Sequence, residues 1–256
     1  MNPTVKVAKQ YKKVMFEHCS GYQRLPNLST YNARFYEGRA VCGTIAAGMS
    51  KTGTAGYIAS FPIPEVVMGI NAFTLAARKV NPKFQTKVLW ASTWYDPAKE
   101  ADAAKALLDQ GCDVIAQHTD SPAALQACEQ RGLYAFGQAA DMTSFAPKAH
   151  LTSIINNWGA YYKGRVKAML DGTWASSDTW WGFDHDMIEM APYNAAIPEG
   201  VRKQAEDLRQ ALASGKDHAL AGPVTDNKGT LRIKDGETIA DGDLAKMDWY
   251  VEGVQS

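Results

Sequence analysis

Four side chains with the chemistry to contact a ligand each follow a short apolar run of the sequence. They are Trp94, His118, Asp120 and Asp141. An indole offers a flat surface for stacking on a ring, and a carboxylate accepts hydrogen bonds from ring N–H groups, amines or hydroxyls. Such a set suits a neutral or cationic polar ring and would repel a phosphate or a carboxylate. The residue types therefore favour recognition of a ligand over catalysis.

The three apolar runs are predicted to be strands separated by two helices. The runs cover residues 86–92, 112–117 and 133–136, and the helical patterns cover 97–110 and 122–130. In open α/β sheets, ligands bind outside the carboxyl ends of the strands. Because the four side chains follow those ends, the sequence predicts a small-molecule site there.

Three of the four candidates also have a structural interpretation that the sequence leaves open. Trp94 would equally well cover the core between a helix and the sheet. Asp120 precedes Ser121 and Pro122, so its carboxylate either caps the next helix or projects toward a ligand, and position alone favours the cap. Asp141 has the same two alternatives.

The rest of the chain continues the alternation of strands and helices. Strands are predicted at 14–19, 55–60, 151–156 and 179–190, helices at 3–12, 35–49, 62–79, 161–170 and 199–213, and a hairpin over 222–236. Residues 20–33, which contain Gly21, Pro26 and Asn27, are predicted to form a loop. Alternation this regular predicts an α/β fold with a parallel sheet and helices on both faces.

Composition argues against several partners. The chain has 256 residues, 27 basic and 27 acidic, and a formal net charge of zero. A surface for nucleic acid or for an anionic membrane normally requires a basic patch, so neither partner is expected. No apolar run approaches the roughly 20 residues of a membrane-spanning helix, and the first residues lack the apolar core of a secretory signal.

Motifs for cofactors, metals and nucleophiles are absent. The sequence contains no phosphate-binding loop, dinucleotide fingerprint, nucleophile elbow or HExxH pattern, and its five histidines are scattered. The densest acidic cluster, at 184–186, is better explained as an exposed turn, since a metal site needs three or four converging ligands. The sequence thus predicts no cofactor, no metal and no catalytic residue.

The four cysteines form no CxxC pair and are expected to be structural thiols. A disulfide between Cys112 and Cys128 would be allowed in an oxidising compartment, but the spacing does not establish it.

Eight short segments, spread over nearly the whole chain, carry a resemblance to a known family. They lie at 35–39, 46–58, 69–73, 94–99, 111–115, 118–121, 151–155 and 248–253. In this order and spacing, the chain resembles the basic membrane protein family of ABC-transporter substrate-binding proteins, which includes purine-nucleoside receptors. The resemblance implies a type I periplasmic-binding-protein fold, in which two parallel-sheet lobes close on a ligand in the cleft between them.

The resemblance also implies roles for particular residues. In this family, stacking aromatics hold a purine while aspartates or asparagines contact its polar edge. Trp94 lies at the position of a stacking aromatic. Asp120 and Asp141 lie in the loops that line the cleft, and His118 belongs to the same segment as Asp120. Asn156 stands where nucleoside-binding relatives often have lysine, which favours a free base such as adenine.

The implied organisation has two lobes. Residues 1–33 and 151–178 would form the first lobe, and residues 34–150 and 179–256 the second. The protein would capture a purine and deliver it to the permease and ATPase subunits of an ABC importer. The family places it in the periplasm or cell envelope, and its members carry a lipoprotein or secretory signal.

The start of the chain departs from the family pattern. Family members begin with a signal and a strand–helix–strand–helix–strand segment, whereas this chain opens at what corresponds to the helix that follows. We therefore expect an incomplete first lobe with an uncovered sheet edge, and a truncated gene model as the cause. An in-frame stop directly before Met1, without upstream coding similarity, would contradict this expectation.

Two other classes of protein are alternatives. One is the effector-sensing domain of a cytosolic regulator, which shares this fold but would need a helix-turn-helix that the sequence does not show. The other is a purine hydrolase that uses His118, Asp120 and Asp141. Turnover of a purine nucleoside that disappears in Asp120→Asn would be the evidence for the hydrolase.

Overall fold

The computed structural model describes residues 1–256, which fold into two compact units. The first unit comprises Met1–Arg34 and Asn156–Ile188, and the second comprises Phe35–Ile155 and Glu189–Ser256. Each unit combines helices with a sheet of parallel strand pairs, so the predicted α/β class is confirmed.

Twelve strands and eight helices make up the fold. The strands are β1 Phe16–Cys19, β2 Leu28–Ala33, β3 Thr54–Ala59, β4 Gln85–Trp90, β5 Val114–Gln117, β6 Tyr134–Ala139, β7 His150–Asn156, β8 Asp178–Trp181, β9 Ile188–Met190, β10 Val224–Thr225, β11 Leu231–Ile233 and β12 Val254–Gln255. The helices are α1 Asn2–Gln10, α2 Phe35–Met49, α3 Pro64–Val80, α4 Pro97–Asp109, α5 Ala123–Gln130, α6 Trp158–Leu170, α7 Glu199–Ala213 and α8 Asp241–Leu244.

The first unit contains a three-stranded parallel sheet in the order β1-β2-β8. One carboxylate connects helix α6 to β1, the edge strand of this sheet. Glu17 on β1 accepts hydrogen bonds from Arg165 Nε at 2.5 Å, from the Tyr161 hydroxyl at 2.8 Å and from Trp174 Nε1 at 2.8 Å. Hydrogen bonds to an ionised acceptor are stronger than neutral ones, so this network fixes α6 against the sheet.

The prediction of a loop at 20–33 is wrong, because Leu28–Ala33 forms strand β2 at the centre of the first unit's sheet. The turn signals at Pro26 and Asn27 end just before the strand begins. The side-chain amide of Asn27 donates to three backbone carbonyls of the segment 8–14. These bonds hold the entry to β2 through contacts distant in sequence, which local turn signals do not reveal.

The second unit is built on a seven-stranded sheet in the order β12-β4-β3-β5-β6-β7-β9. On β3, the Tyr57 ring packs against Phe73 of α3 with centroids 5.8 Å apart. A Cβ on the neighbouring Gly56 would lie 2.9 Å from Leu107 of α4. Since successive side chains of a strand point to opposite faces, α3 covers one face of the sheet and α4 the other, as the alternating pattern predicts.

Helices α2 and α3 pack so closely that one contact allows only glycine. A Cβ added to Gly43 of α2 would lie 2.0 Å from the carbonyl oxygen of Phe73 on α3. The missing side chain therefore lets the backbones of the two helices approach each other. This packing matters for the site, because α2 begins beside the carboxyl edge of the sheet with Phe35.

The segment predicted as one strand at 179–190 is two strands in different sheets. Strand β8 pairs with β2, whereas β9 lies at the edge of the seven-stranded sheet. Between them, a 3-10 turn at Phe183–His185 ends at Asp186, which has a left-handed backbone with φ 52°. This turn interrupts the β pattern, and the first unit extends to Ile188 and not to residue 178.

The predicted division at residue 151 also differs from the structure. Strand β7 pairs with β6 in the seven-stranded sheet, for example through Gly137 and Ser153. Because these bonds hold β7 to the larger unit, the chain enters the first unit again only at Asn156. The predicted bounds assigned 151–178 to the first lobe because pairing partners are not visible in a single strand pattern.

The four cysteines are free thiols, so Cys112 and Cys128 are not joined. Burial raises the pKa of Cys42 and Cys128 to about 12, which keeps these thiols protonated and unreactive. No group of three His, Cys, Asp or Glu side chains is arranged to hold a metal ion. None of the helices combines the length and the apolar character that crossing a membrane requires.

Candidate functional site

The carboxyl ends of β3, β4 and β5 meet at one edge of the seven-stranded sheet. Strand β3 lies between β4 and β5, so the chain first adds a strand on one side of β3 and then on the other. In open α/β sheets, the ligand crevice lies outside the carboxyl ends at such a reversal. The side chains that follow these ends are Phe61 after β3, Trp94 after β4, and His118 and Asp120 after β5.

The indole of Trp94 is 44% exposed and is flanked by two other rings. Its centroid lies 5.3 Å from that of Phe61 and 6.0 Å from that of His118. The interplanar angles are 53° and 67°, so neither ring lies flat against the indole. The indole is therefore held in place while a face stays available to a planar ligand.

Asp120 is exposed and does not cap the helix that follows it. The backbone N–H of Ala123 donates instead to Ser121 Oγ at 3.3 Å. Although the residue is exposed, the surrounding protein partly desolvates its carboxyl. This partial burial and the negative charge of Glu100 raise the pKa of Asp120, while the positive charge of Arg39 opposes the shift. The carboxylate is left free to accept a hydrogen bond from a ligand.

A backbone hydrogen bond joins the loops that carry these two side chains. The N–H of Asp120 donates to the carbonyl oxygen of Trp94 at 2.9 Å. Trp94 and Asp120 are therefore neighbouring residues at this edge of the sheet, as the strand-end rule predicts.

His118 is only 6% exposed and packs beside Trp94. Its imidazole stacks on Phe35 at a centroid distance of 6.2 Å and an interplanar angle of 22°. Burial and the positive charge of Arg39 lower the pKa of His118 to about 3. The structure thus places this residue as a buried neutral ring beside the indole, and its predicted contact with a ligand stays a prediction.

Arg39, on helix α2, is a fully buried cation that faces the sheet. Its guanidinium carbon lies 5.0 Å from the ring centroid of Phe35 and 5.5 Å from that of Tyr57, and Nη2 donates to Gln138. No carboxylate forms an ion pair with it, and its Nε and Nη1 atoms have no hydrogen-bond partner. The uncompensated charge therefore disfavours protonation of nearby groups, His118 among them.

Because His118 is neutral in the folded chain, stability is expected to fall as the pH falls. Its pKa is about 3 in the folded chain against an ordinary value of 6.5, so the unfolded chain binds the proton more readily. The contribution of His118 is complete above 6.5 and is lost progressively toward the folded value. The loss is about 2 kcal/mol at about pH 5. Urea unfolding at about pH 7 and about pH 5 measures the difference.

The variant His118→Gln should remove this part of the pH dependence. His185→Gln is the matched control, since the His185 side chain is 52% exposed. An unchanged pH dependence in His118→Gln, or an equal change in both variants, would contradict the assignment to His118.

Asp141 caps the turn that follows β6. Its Oδ1 accepts hydrogen bonds from Thr143 Oγ1 at 2.5 Å and from the Thr143 N–H at 2.9 Å, and these bonds lower the pKa of Asp141. Thr143 Oγ1 lies 3.1 Å from His150 Nδ1, and His150 Nε2 lies 2.6 Å from Ser153 Oγ. Of the two alternatives for Asp141, the cap is present in the structure. A ligand contact by its second oxygen stays a prediction.

Asn156 is the last residue of β7 and opens the second segment of the first unit. Its Oδ1 is buried and has no hydrogen-bond partner within the chain. Buried polar atoms nearly always have a partner, because leaving one unsatisfied costs about 1–3 kcal/mol. The predicted role of Asn156 in binding stays a prediction, and a donor from a ligand or from water would satisfy this oxygen.

Sequence reasoning overlooked Phe61, Arg39 and Glu100. Phe61 follows β3 as directly as Trp94 follows β4, so the strand-end rule, applied to every strand, would have identified it. Arg39 is a charged residue among small apolar neighbours on a buried helix, which is a weak signal for a special role. Glu100 lies on the surface-like pattern of α4, and no local feature relates it to the site.

Comparison with known proteins identifies relatives over the whole chain. The family model described as "ABC transporter substrate-binding protein PnrA-like" matches residues 1–216. A purine-binding protein of Brucella abortus (strain 2308) is 53% identical over 254 residues, which are 99% of this chain and 72% of that protein. The "Putative ABC transporter glucose-binding protein TsgA13" of Haloferax volcanii is 35% identical over 254 residues, 99% of this chain and 62% of that protein.

A solved structure shares the fold at low sequence identity. An ABC transporter solute-binding protein of Aeropyrum pernix K1 superposes with a TM-score of 0.73 at 16% identity, over 94% of this chain and 75% of that chain. At this identity, the similarity concerns the fold alone. It confirms the predicted periplasmic-binding-protein type of fold.

The family resemblance of the short segments is therefore confirmed by a match that extends over most of the chain. The match to residues 1–216 and the 53% identity over 254 residues are both independent of the strand-end argument. The chain belongs to the PnrA-like family of ABC transporter substrate-binding proteins.

Proposed function

We propose that this protein captures a purine at the carboxyl edge of the larger unit's sheet and delivers it to an ABC importer. The observation that carries the proposal is that the exposed Trp94 indole and the free Asp120 carboxylate stand on two loops joined by a backbone hydrogen bond. A purine has the two features that such a pair recognises, namely a flat aromatic face and N–H groups at its edge. Stacking of a base on an aromatic side chain contributes about 1–3 kcal/mol.

Family membership supports the transport role, and the name of one relative supports the ligand class. The Brucella abortus relative at 53% identity is named as a purine-binding protein. Substrate-binding proteins of ABC transporters typically work outside the cytoplasm and hand their ligand to a permease coupled to an ATPase. We extend this location and these partners to the present chain as part of the proposal.

Within the purines, adenine is our proposed ligand. Its exocyclic amine and ring N–H are donors that match the Asp120 carboxylate. Asn156, in place of the lysine frequent in nucleoside-binding relatives, supports a free base over a nucleoside.

The geometry gives no support to a hydrolase built on the same residues. The buried Nδ1 of His118 has no hydrogen-bond partner, and a pKa of about 3 makes its imidazole a weak base. Oδ1 of Asp141 already accepts two hydrogen bonds from Thr143. A general base must reach the proton that it abstracts, and these groups form no hydrogen-bonded pair with Asp120.

Calorimetric titration of the purified chain with adenine, adenosine, guanosine and D-glucose tests the proposal. We expect adenine to bind with a micromolar dissociation constant and to quench tryptophan emission, because the base stacks on Trp94. Binding of D-glucose without any purine would agree with the name of the Haloferax volcanii relative and would overturn the purine assignment. Tighter binding of adenosine than of adenine would keep the purine class and reject the free base.

A further inference from the structure

Glu100 is a fully buried carboxylate in the first turn of helix α4. Its Oε1 accepts a hydrogen bond from the backbone N–H of Asp96 at 2.9 Å, and its Oε2 accepts one from the N–H of Ser121 at 3.1 Å. Burial of a charge is costly unless hydrogen bonds compensate it. Both oxygens are compensated here, and both partners are backbone groups of loops at the candidate site.

The two bonds connect the loops that carry the ligand-contacting side chains. Asp96 lies two residues after Trp94, and Ser121 directly follows Asp120. The bond from the Asp120 N–H to the Trp94 carbonyl is a third link between the same loops. One carboxylate and one backbone bond therefore fix the position of the indole loop relative to the loop of Asp120.

Capping of α4 does not by itself explain Glu100. The N-cap is Asp96, whose Oδ1 already accepts the N–H of Lys99 at 3.1 Å. The bond from Asp96 N–H to Glu100 resembles the reciprocal half of a capping box. The second bond, to Ser121, reaches a different loop and has no part in a cap. The carboxylate thus acts as a bridge between loops.

We propose that Glu100 is a positioning residue for ligand binding, which sets the spacing between Trp94 and Asp120 so that one planar ligand contacts both. The proposal rests on the proposed function, because it concerns the same site. Positioned groups bind a ligand more tightly than mobile ones, since less freedom is lost on binding.

The charge of Glu100 adds a second, separable effect. Two charged groups act on the Asp120 carboxyl, namely Glu100 on α4 and Arg39 on α2, and Glu100 raises the pKa of Asp120. Removing the negative charge while keeping the shape should lower that pKa. The decline of ligand affinity that accompanies protonation of Asp120 should then occur at lower pH; this decline is the acid limb of the affinity.

Titration with adenine of wild type, Glu100→Gln and Glu100→Asp, at several pH values, tests the proposal. Each variant is expected to lose about tenfold in adenine affinity, the size of one lost hydrogen bond to a charged group. Glu100→Gln alone should also shift the acid limb to lower pH, because Glu100→Asp keeps the charge. Hydrogen exchange at 92–96 and 118–121 should be faster in both variants than in wild type.

Glu129→Gln is the matched control. At the other end of α5, Glu129 Oε2 accepts the N–H groups of Lys148 and Ala149 at 2.9 and 3.2 Å. This variant makes the same substitution at a bridging carboxylate away from the site, so its adenine affinity should stay within about twofold of wild type. If wild type binds adenine, two results would overturn the positioning role. One is an unchanged adenine affinity in both Glu100 variants, and the other is an equal loss of affinity in Glu129→Gln. Wild type that binds no adenine would instead overturn the proposed ligand, and the positioning role with it.

Discussion

Replacing Trp94 by alanine is expected to weaken adenine binding by about 1–3 kcal/mol, the range for loss of one base–aromatic stack. This corresponds to a rise in the dissociation constant of about 5- to 150-fold. The indole is 44% exposed, and its neighbours Phe61 and His118 meet it at steep angles. The stack would therefore form on a ring that is already held in place. Calorimetric titration of wild type and Trp94→Ala measures the change.

Tyr95→Ala is the control for this prediction. Tyr95 is the next residue, is 63% exposed and makes no ring contact. Its removal should leave the dissociation constant unchanged, and Trp94→Phe should retain part of the stacking energy. If Trp94→Ala binds adenine as tightly as wild type, the indole has only a packing role beside Phe61.

The periodic parts of the chain are predicted well because their signals are local. The predicted bounds of α2 and α7, 35–49 and 199–213, are the observed ones. Helix α7 ends at a Ser214 cap followed by Gly215, whose left-handed φ of 69° is the conformation that glycine adopts at such ends. The stop signal is thus contained in a few neighbouring residues.

Strand β2 and the division of 179–190 could not be predicted, because both depend on distant partners. Leu28–Ala33 becomes a central strand only because β1 and β8 pair with its two edges. The continuous β pattern of 179–190 hides a turn that sends the chain from one sheet to another. Hydrogen-bond partners in different parts of the chain decide both cases, and a single sequence does not contain them.

The same limit separates the two aspartates that the sequence treats alike. Asp141 is followed by Thr143, which donates two hydrogen bonds to its carboxylate. After Asp120, the hydroxyl of Ser121 accepts the first free N–H of the helix instead. The carboxylate of Asp141 is thereby hydrogen-bonded within the chain through Oδ1, whereas that of Asp120 is free. The strand-end rule located both residues, but only the hydrogen bonds show that Asp120 is the better candidate for a ligand contact.

Replacing Asp120 by asparagine is expected to weaken adenine binding by about 1.5–3 kcal/mol, the usual contribution of a hydrogen bond to a charged group. Both oxygens of the free carboxylate accept hydrogen bonds from N–H groups of the ligand. The side-chain amide of asparagine has a donor in place of one of these oxygens. Asp102→Asn on α4 is the control, because the Asp102 side chain is 79% exposed and pairs only with Lys105. Its affinity for adenine should equal that of wild type.

The pH dependence of adenine affinity tests the same carboxylate independently. The pKa of Asp120 is raised by partial burial and by Glu100, so its carboxylate takes up a proton at a higher pH than an ordinary aspartate does. Affinity of the wild type should therefore begin to decline as the pH falls from about 7 toward about 5, whereas that of Asp120→Asn should stay level over this range, in which adenine itself stays neutral. His118 does not produce this limb, because its pKa of about 3 lies below the range. An equal decline in Asp120→Asn would assign the titration to another group and remove Asp120 from the site.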